Sequence, residues 1–345
     1  MSASSAAAIV FGSTGAYPPS WTALPKAELH LHLDCSLSLA VVQELSNGVS
    51  PEDFLDRFTA PHRCRDLADY LARVRPQVSL LQTELALRLA AKDLVRQLST
   101  DGVVYAEVRF APLLHGEQGL NPEFAVAAVC DALKEEAGKF GILIGVILCT
   151  LRHFTEEQSM RTSELAVEFA GRGVVGLDLA GDEAGFDLAP HKAAFALARQ
   201  HGIATTAHAG EASGPRSVWQ TLEQLQPSRI GHGVRSIEDV ALVRHLARSG
   251  VLLETCPTCN VQIGIYPNLA AHPVARLAEA GVKLSLNTDT RTTTPTTLSR
   301  DFAALAQAFG WTKADFLKLQ DNAISAGFLD GAAKTAALDA IAAAH

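Results

Sequence analysis

The sequence lacks the features that mark a membrane, secreted or nucleic-acid-binding protein. Its 345 residues contain no apolar run long enough to cross a bilayer, and Met1–Tyr17 has no cationic start of the kind that opens a secretory signal. Acidic residues outnumber basic ones by 37 to 29, and no basic cluster stands out. We therefore expect neither nucleic acid nor membrane as a partner, and we expect a cytoplasmic location. No heptad pattern or interface patch indicates an oligomeric state.

Cysteine is scarce and scattered. The six cysteines are Cys35, Cys64, Cys130, Cys149, Cys256 and Cys259. Their spacing does not indicate a disulfide scaffold. Cys256 and Cys259 have the spacing of half a zinc knuckle, but the sequence has no second such pair, so a cysteine-ligated zinc is not expected.

Apolar, β-prone runs alternate with helical patterns along the chain. The runs lie at Ala27–Leu33, Val103–Phe110, Ile142–Cys149, Val174–Leu179, Ala204–Ala207, Arg229–Gly231, Val251–Thr255 and Val282–Leu286. The helical patterns lie at Leu81–Leu98, Pro122–Lys139, Glu156–Ala170, Pro190–His201, Ser217–Leu225, Ile237–Arg248 and Pro273–Ala280, with a further helix from Gly331 to His345. Eight strands alternating with helices predict an α/β fold of the (β/α)8 TIM-barrel type. A doubly wound open sheet is the alternative, but no Gly-rich phosphate fingerprint follows the first strand.

A helical insertion of about residues 36–100 separates the first two strands. Its apolar residues recur near helical spacing at Phe54, Leu55, Phe58, Leu67, Tyr70 and Leu71. These side chains could cover an apolar face of the insertion itself, or they could form a lid whose aromatic rings wall a pocket. Both interpretations stay open, and we expect residues 1–345 to form a single barrel domain that carries this insertion.

The first strand carries a polar set that needs a partner. Residues 28–34 read ELHLHLD, in which polar and leucine side chains alternate. A regular strand would place His30, His32 and Asp34 on the face towards the barrel axis and the three leucines against the helices. Burying two imidazoles and a carboxylate without a partner would be costly, and a metal ion supplies that partner.

Further candidate residues follow other strands. His208 and Glu211 follow the fifth strand, His232 lies between two glycines after the sixth, and Asp289 follows the eighth. The C-terminal ends of the strands form the active face of a (β/α)8 barrel, so these side chains are expected to meet those of the first strand. Several imidazoles with one carboxylate favour Zn²⁺, with Fe²⁺ or Mn²⁺ as alternatives. Zinc lowers the pKa of a bound water towards neutrality, and a nearby Glu can carry a proton.

Seven ordered sequence words support a resemblance that covers most of the chain. They are Ala27–Asp34 (AELHLHLD), Asp101–Pro112 (DGVVYAEVRFAP), Gly176–Glu183 (GLDLAGDE), His208–Glu211 (HAGE), Arg229–Gly233 (RIGHG), Glu254–Pro257 (ETCP) and Ser285–Asp289 (SLNTD). From about Lys26 to Phe328 the chain resembles the adenosine deaminase family of the amidohydrolase superfamily. The resemblance implies a zinc-dependent hydrolase that converts adenosine and 2'-deoxyadenosine to inosine and 2'-deoxyinosine, with release of ammonia.

The resemblance also implies a role for each residue of the metal site. The ligands of one zinc ion per subunit would be His30, His32, His208 and Asp289. Hydroxide on that zinc would attack C6 of the purine. Glu211 would protonate N1 and later help to protonate the leaving amine, while His232 and Asp289 would orient the hydroxide.

Substrate contacts follow from the same resemblance. Gly181 would meet the purine N3 edge through its backbone N–H, Asp34 would bond a ribose hydroxyl, and His32 would lie beside the substrate as well as the metal. A single metal is implied because the fourth strand ends in Leu179-Ala180-Gly181, where many two-metal relatives carry a bridging lysine. The unrelated cytidine-deaminase zinc site has His-x-Glu and Pro-Cys-x-x-Cys motifs, which HAGE and CPTC do not match.

Three positions depart from the common family pattern. Cys35 replaces the usual glycine after Asp34, and Thr290 stands where many members have a second Asp that bonds purine N7. A threonine hydroxyl can donate to N7, so Thr290 is kept as a substrate-binding candidate. Arg291 is either a solvated loop cation or an anchor for an anionic group on the substrate. The alternative function is therefore deamination of another 6-aminopurine: aminodeoxyfutalosine, adenine or a nucleotide.

Overall fold

The chain forms a barrel of eight parallel strands, as the sequence predicts. The structure, a computed structural model, describes residues 19–329 and 331–344, and the Ala/Ser-rich segment Met1–Tyr17 lies outside them. The strands are β1 (Lys26–His32), β2 (Val103–Phe110), β3 (Leu143–Leu151), β4 (Val174–Ala180), β5 (Ala204–Ala209), β6 (Arg229–His232), β7 (Leu252–Thr255) and β8 (Leu284–Leu286). Each strand pairs in parallel with the next along the chain. A bridge between Leu31 and Asp289 joins the segment after β8 to β1 and completes the ring.

Helices connect successive strands. They are α1 (Pro19–Thr22), α2 (Leu39–Leu45), α3 (Pro51–Phe58), α4 (Leu67–Leu71), α5 (Arg75–Leu80), α6 (Glu84–Thr100), α7 (Pro122–Phe140), α8 (Glu156–Glu168), α9 (Lys192–Gln200), α10 (Pro215–Gln224), α11 (Val240–Ser249), α12 (Pro257–Ile263), α13 (Val274–Glu279), α14 (Leu298–Phe309), α15 (Lys313–Ala326) and α16 (Gly331–Ala342). Where bounds differ from the predicted ones, local chemistry gives the reason. The side chain of Thr83 accepts a hydrogen bond from the Ala86 N–H and caps the helix. Helix α6 therefore begins at Glu84 rather than at Leu81, where the sequence predicts its start.

β1 does not follow the regular alternation expected from its sequence. Its pairing with β2 shifts register between Glu28 and Leu31, which marks a β-bulge. Leu29 packs with residues of α15 and α16, and Leu31 packs in the main core. Asp34 is not on the strand, because the chain continues as the 3-10 turn Leu33–Cys35. The expected position on the strand is therefore wrong for Asp34.

Helices α2 to α6 occupy the insertion between β1 and β2. They include the four short helices Leu39–Leu45, Pro51–Phe58, Leu67–Leu71 and Arg75–Leu80 before the long α6 leads into β2. The end of the chain forms α16, as its composition predicts. Among the described residues, no helix combines the length and the apolar character that a membrane crossing requires. The expected cytoplasmic location stays a prediction.

Candidate metal and active site

Three imidazoles and one carboxylate meet at the C-terminal ends of the strands. His30 and His32 come from β1, His208 comes from β5, and Asp289 follows β8. The His30 and His32 Nε2 atoms lie 3.3 and 3.5 Å from Asp289 Oδ1, and His32 Nε2 lies 3.4 Å from His208 Nε2. The four residues that the sequence proposes as ligands are thus neighbours in the fold.

The spacing of these atoms fits a tetrahedral metal site. Zinc bonds of about 2.0–2.2 Å to nitrogen and oxygen would place neighbouring ligand atoms about 3.3–3.6 Å apart. Three of the six separations among the four ligand atoms, at 3.3, 3.4 and 3.5 Å, fall within that range. The buried His30 Nε2 has no hydrogen-bond partner among the described residues, and a cation would provide one. The donor set therefore fits a divalent metal ion.

Buried carboxylates fix the outer nitrogens of two of these imidazoles. Glu254 Oε2 lies 2.8 Å from His30 Nδ1, and Asp178 Oδ2 lies 3.1 Å from His208 Nδ1. Arg109 joins the two carboxylates, with Nη2 2.8 Å from Glu254 and Nη1 2.8 Å from Asp178. A carboxylate beside Nδ1 keeps the proton on that nitrogen, which leaves Nε2 free to bind a metal.

Burial sets the protonation states that metal binding requires. Desolvation lowers the pKa of His30 well below its ordinary value, and the charge of Arg109 lowers it further. Desolvation also lowers the pKa of His32, against the opposing effect of Asp289. Desolvation disfavours ionisation of Asp289, but the neighbouring imidazoles of His232 and His32 bring its pKa below the ordinary value. Neutral imidazoles and an ionised carboxylate are the forms that ligate metals.

Glu211 lies in the turn after β5, and a second carboxylate holds that turn. Glu183 accepts hydrogen bonds from the N–H groups of Gly210, Glu211 and Ser213 at 2.6, 3.0 and 2.9 Å. Burial raises the pKa of Glu211 well above its ordinary value, and the charges of Asp289 and Glu183 raise it further. Glu211 can therefore keep a proton near neutral pH and donate it to a ligand.

His232 ends β6 and lies next to Glu211. Its Nε2 is 3.4 Å from Glu211 Oε1, while Asn260 Nδ2 lies 3.2 Å from His232 Nδ1 and 3.3 Å from Glu211 Oε1. Burial lowers the pKa of His232 to about 3, so its ring is neutral. His232 and Asp289 have φ angles of 57° and 68°, a left-handed backbone that residues other than glycine rarely adopt. Such strain concentrates at functional sites.

Distance alone admits a second set of metal ligands. The ligand atoms of His30, His208, His232 and Asp289 all lie within 4.8 Å of one another. His32 Nε2 nevertheless has the tetrahedral spacing of 3.4 and 3.5 Å to His208 and Asp289. His232 is held by Asn260 instead. Both sets share His30, His208 and Asp289, and the choice of His32 as the fourth ligand stays a prediction.

A cavity of about 510 Å³ opens over this cluster. Its lining includes the four residues proposed to touch substrate, His32, Asp34, Gly181 and Thr290. Burial disfavours ionisation of Asp34, but the imidazole of His115, 3.8 Å away, brings the pKa of Asp34 below the ordinary value, so the side chain is a carboxylate. Gly181 has a φ of 96°, a conformation that would strain any residue with a side chain. Metal site, proton donor and substrate candidates therefore share one space.

Comparisons with known proteins identify the family. A model of the family described as Adenosine deaminase matches residues 25–344. The chain belongs to the adenosine deaminase family. The adenosine deaminase of Enterococcus faecalis is 39% identical over 312 residues, which cover 89% of this chain and 92% of that protein. The adenine deaminase of Agrobacterium fabrum is 32% identical over 314 residues, which cover 90% of this chain and 96% of that protein.

Solved structures give the same result. The structure of adenine deaminase from Arthrobacter aurescens matches with a TM-score of 0.86 at 26% identity, covering 93% of this chain and 99% of that chain. The resemblance drawn from seven sequence words is confirmed, as is the predicted barrel. Membership of the adenosine deaminase family makes this protein a hydrolytic deaminase.

The structure contradicts both expectations for Arg291, that it is a solvated loop cation or an anchor for an anionic group. Its side chain is buried, with Nη2 2.6 Å from Glu28 Oε2 and 3.0 Å from Asp101 Oδ2. It does not line the cavity. Two carboxylates already balance its charge, so Arg291 is neither a solvated cation nor an anchor for an anionic substrate.

Thr290 does line the cavity, but its hydroxyl has partners in the protein. Its Oγ1 accepts from the Thr294 N–H at 2.8 Å and lies 3.0 Å from the Tyr70 hydroxyl. The Tyr70 hydroxyl also lies 2.8 Å from Thr294 Oγ1. Whether the Thr290 proton faces the cavity therefore depends on which partner Tyr70 donates to.

The insertion contributes to two parts of this adenosine deaminase family member. Its apolar residues on the cavity wall are Leu67, Tyr70, Leu71, Val74 and Val78. Phe58, by contrast, is fully buried in the main core, and Phe54 packs against that core. Residues of the insertion thus wall the cavity, and the lid stays a prediction.

Several residues of the site were not predicted from the sequence as functional. They are Arg109, Asp178, Glu183, Glu254 and Asn260. The first four lie within or beside the family-like words, and three of them interrupt apolar strands with a buried charge. A charge in the middle of an apolar run was the available signal.

Proposed function

We propose that this protein is a zinc-dependent deaminase of adenosine and 2'-deoxyadenosine that forms inosine and 2'-deoxyinosine with release of ammonia. Relatives that include adenosine and adenine deaminases support hydrolytic deamination of a 6-aminopurine. The observation that carries the proposal is the cluster of three imidazoles and a carboxylate at the cavity that also contains Glu211, whose pKa is raised by burial. The partner is a small-molecule purine nucleoside.

The metal would be a single zinc ion per subunit. Its ligands would be His30, His32, His208 and Asp289. Bound there, zinc supplies Lewis acidity and lowers the pKa of a water molecule at its open position. The carboxylates Glu254 and Asp178 keep the ligand rings of His30 and His208 in the required tautomer.

The remaining side chains handle protons and orientation. Glu211 donates a proton to purine N1, which makes C6 a better electrophile, and the resulting carboxylate can take up the proton of the new C6 hydroxyl and pass it to the leaving amine. Its raised pKa suits both steps because the proton is held at neutral pH until a ring nitrogen accepts it. His232, fixed through its Nδ1 by Asn260, orients the attacking water. Asp289 is the other carboxylate near that water and can accept its proton.

Substrate orientation would come from three edges of the cavity. The Gly181 N–H meets purine N3, the Asp34 carboxylate accepts from a ribose hydroxyl, and the Thr290 hydroxyl faces N7. Cys35 lies directly beside the sugar contact, with Sγ 3.7 Å from Asp34 Oδ1. Cys35 would either narrow the space behind the sugar or change the turn there.

The charge of the cavity favours a neutral nucleoside over an anionic substrate. Asp34, Glu117 and Asp182 contribute carboxylates to its lining, and within the described residues Arg75 is the single arginine or lysine there. With Arg291 bound to carboxylates elsewhere, a phosphate or benzoate on the substrate would meet more like charge than opposite charge. Adenine is the second candidate, because adenine deaminases are among the relatives.

Ammonia release from the zinc-loaded protein tests the proposal. The panel is adenosine, 2'-deoxyadenosine, adenine, AMP and aminodeoxyfutalosine. We expect fast turnover of the two nucleosides and little of the other three. Faster turnover of adenine, AMP or aminodeoxyfutalosine than of adenosine would contradict the nucleoside assignment while keeping the chemistry.

The variant Asp34→Asn sharpens this test. It preserves size but removes the charge that accepts from the ribose hydroxyl. We expect a higher KM for adenosine, by roughly 10-fold for the loss of one charge-assisted hydrogen bond of about 1.5 kcal/mol, and an unchanged KM for adenine. Equal effects on both substrates would show that Asp34 does not contact the sugar.

A further inference from the structure

One thiol lies against the candidate metal site although no step of the proposed reaction uses it. Cys259 is in α12, directly after β7, and its side chain is almost fully buried. Its Sγ lies 2.9 Å from Asp289 Oδ2. The other thiol–oxygen contacts among the described residues are 3.6–3.7 Å long. The sulfur–oxygen distance at Cys259 is therefore shorter than at the other buried cysteines that contact an oxygen.

The two oxygens of Asp289 have different neighbours. Oδ1 faces the metal-binding nitrogens of His30 and His32 at 3.3 and 3.5 Å, whereas Oδ2 faces the thiol of Cys259 at 2.9 Å. The backbone of Asp289 is already fixed, since its N–H donates to the His30 carbonyl at 3.0 Å and its carbonyl accepts from the His32 N–H at 2.8 Å. The rotation of the carboxylate about its last bond remains soft, and that rotation decides which oxygen meets the metal.

We propose that Cys259 is a positioning residue for the metal site: its S–H group donates to Asp289 Oδ2 and thereby directs Asp289 Oδ1 towards the metal. This inference rests on the proposed zinc site and extends it to a residue that touches neither metal nor substrate. A neighbour that orients a ligand in this way contributes to metal affinity without coordinating the ion.

The CxxC stretch supplies its own matched control. Cys256 lies three positions earlier and is equally buried. Its Sγ lies 3.6 Å from the backbone carbonyl of Glu254, so its hydrogen-bond partner is a main-chain oxygen rather than a carboxylate of the site. Replacing Cys256 with alanine removes the same atoms from the same buried segment as replacing Cys259. Any effect of packing alone should therefore appear in both variants.

Zinc affinity, measured by competition with a chromogenic chelator, tests the proposal independently of turnover. We expect Cys259→Ala to weaken zinc binding by roughly 10- to 100-fold, the usual effect of losing a group that orients a ligand. Cys259→Ser should restore affinity because its hydroxyl donates to the same oxygen. Cys256→Ala should bind zinc as the wild type does. If Cys259→Ala does not fold, Cys259→Val, which fills the space without a donor, replaces it.

The cobalt-substituted protein provides a spectroscopic readout. The visible absorption of bound Co²⁺ depends on ligand geometry, so we expect it to change in Cys259→Ala and to stay the same in Cys256→Ala. Wild-type affinity in Cys259→Ala would overturn the proposal. A thiolate-to-cobalt charge-transfer band in the wild type that Cys259→Ala lacks would also overturn it, because the thiol would then be a ligand. Failure of the proposed function looks different: zinc binds, but no 6-aminopurine releases ammonia.

Discussion

Replacing Asp178 with asparagine tests whether the charges buried inside the barrel stabilise both the fold and the metal site. In the wild type, Asp178 Oδ2 lies 2.8 Å from Arg109 Nη1 and 3.1 Å from His208 Nδ1. The Asp178 and Arg109 side chains are both 0% exposed. Asparagine keeps the shape but removes the charge, so Arg109 would retain only Glu254 as an ionic partner.

The expected loss of stability follows from that burial. Removing one partner of a buried ion pair costs about 3–5 kcal/mol, and we expect the lower end because Glu254 still balances Arg109. The matched control is Asp131→Asn, in which the same chemical change is made at a carboxylate that is 68% exposed and 3.5 Å from Arg88. An exposed pair of this kind contributes about 0–1 kcal/mol. Urea unfolding of the metal-free proteins compares the two, and equal losses would refute the reasoning.

Metal binding provides the second half of this test. The amide of Asp178→Asn can turn its NH₂ towards His208 Nδ1, which would then accept a hydrogen bond rather than donate one. The ring proton would move to Nε2, the nitrogen that faces the metal. We expect zinc affinity to fall by roughly 10- to 100-fold, measured by chelator competition at a denaturant-free condition where both proteins are folded. Unchanged affinity would show that Asp178 stabilises the barrel without setting the His208 tautomer.

Three further predictions use other residues. Glu211→Gln should keep wild-type zinc affinity and lower ammonia release by roughly 10²- to 10⁴-fold, because the amide cannot transfer the proton; near-normal release would contradict the mechanism. Arg291→Met leaves Glu28 and Asp101 without their cation and should lower the free energy of unfolding by about 3–5 kcal/mol, while the preference for adenosine over AMP stays constant; a shift in that preference would return Arg291 to the substrate site. Burial raises the pKa of Asp301 to about 7, so the stability present below its unfolded pKa of about 3.9 should be lost as pH rises towards 7, by up to about 4 kcal/mol. Urea unfolding from about pH 4 to pH 7 should show that slope in the wild type and not in Asp301→Asn, and parallel profiles would count against it.

The barrel could be predicted from the sequence because each strand is a short apolar run with a helical pattern on either side. The same pattern could not reveal the irregular pairing of β1 with β2, whose register shifts between Lys26 and Ala27 and again between Glu28 and Leu31. A single sequence carries no information on those shifts.

Part of the site could also be predicted, because the active face of a (β/α)8 barrel lies at the C-terminal ends of its strands and only the strand positions are needed to locate it.

The glycine before His232 shows why local chemistry matters at such a strand end. A Cβ on Gly231 would lie 3.1 Å from His30 Cε1 and 3.2 Å from the Cα of His208, so a larger residue would displace both rings. The sequence indicates that glycines allow close packing at this point, and the structure shows that the packed groups are the two imidazoles.

The charges behind the imidazoles could not be assigned by the same reasoning. Glu107 and Arg109 are two residues apart in β2 and therefore share a face of the strand. Charges at alternate positions predict a solvent-exposed face, but here the face points into the barrel. Glu107 pairs with Arg229, and Arg109 pairs with Glu254. Interior charge becomes predictable only when a strand with charges at alternate positions is known to lie in a closed barrel.

Arg291 shows the limit of reasoning from a residue and its neighbours in sequence. Its two carboxylate partners are 263 and 190 positions away, so nothing local distinguishes a free cation from a paired one. Both sequence-based interpretations assumed that an arginine next to the site must act on solvent or substrate. The structure gives it a third role, in which it ties the loop after β8 to β1 and to the end of α6. Because that loop carries Asp289, the arginine that seemed to concern substrate choice instead stabilises the segment that supplies a metal ligand.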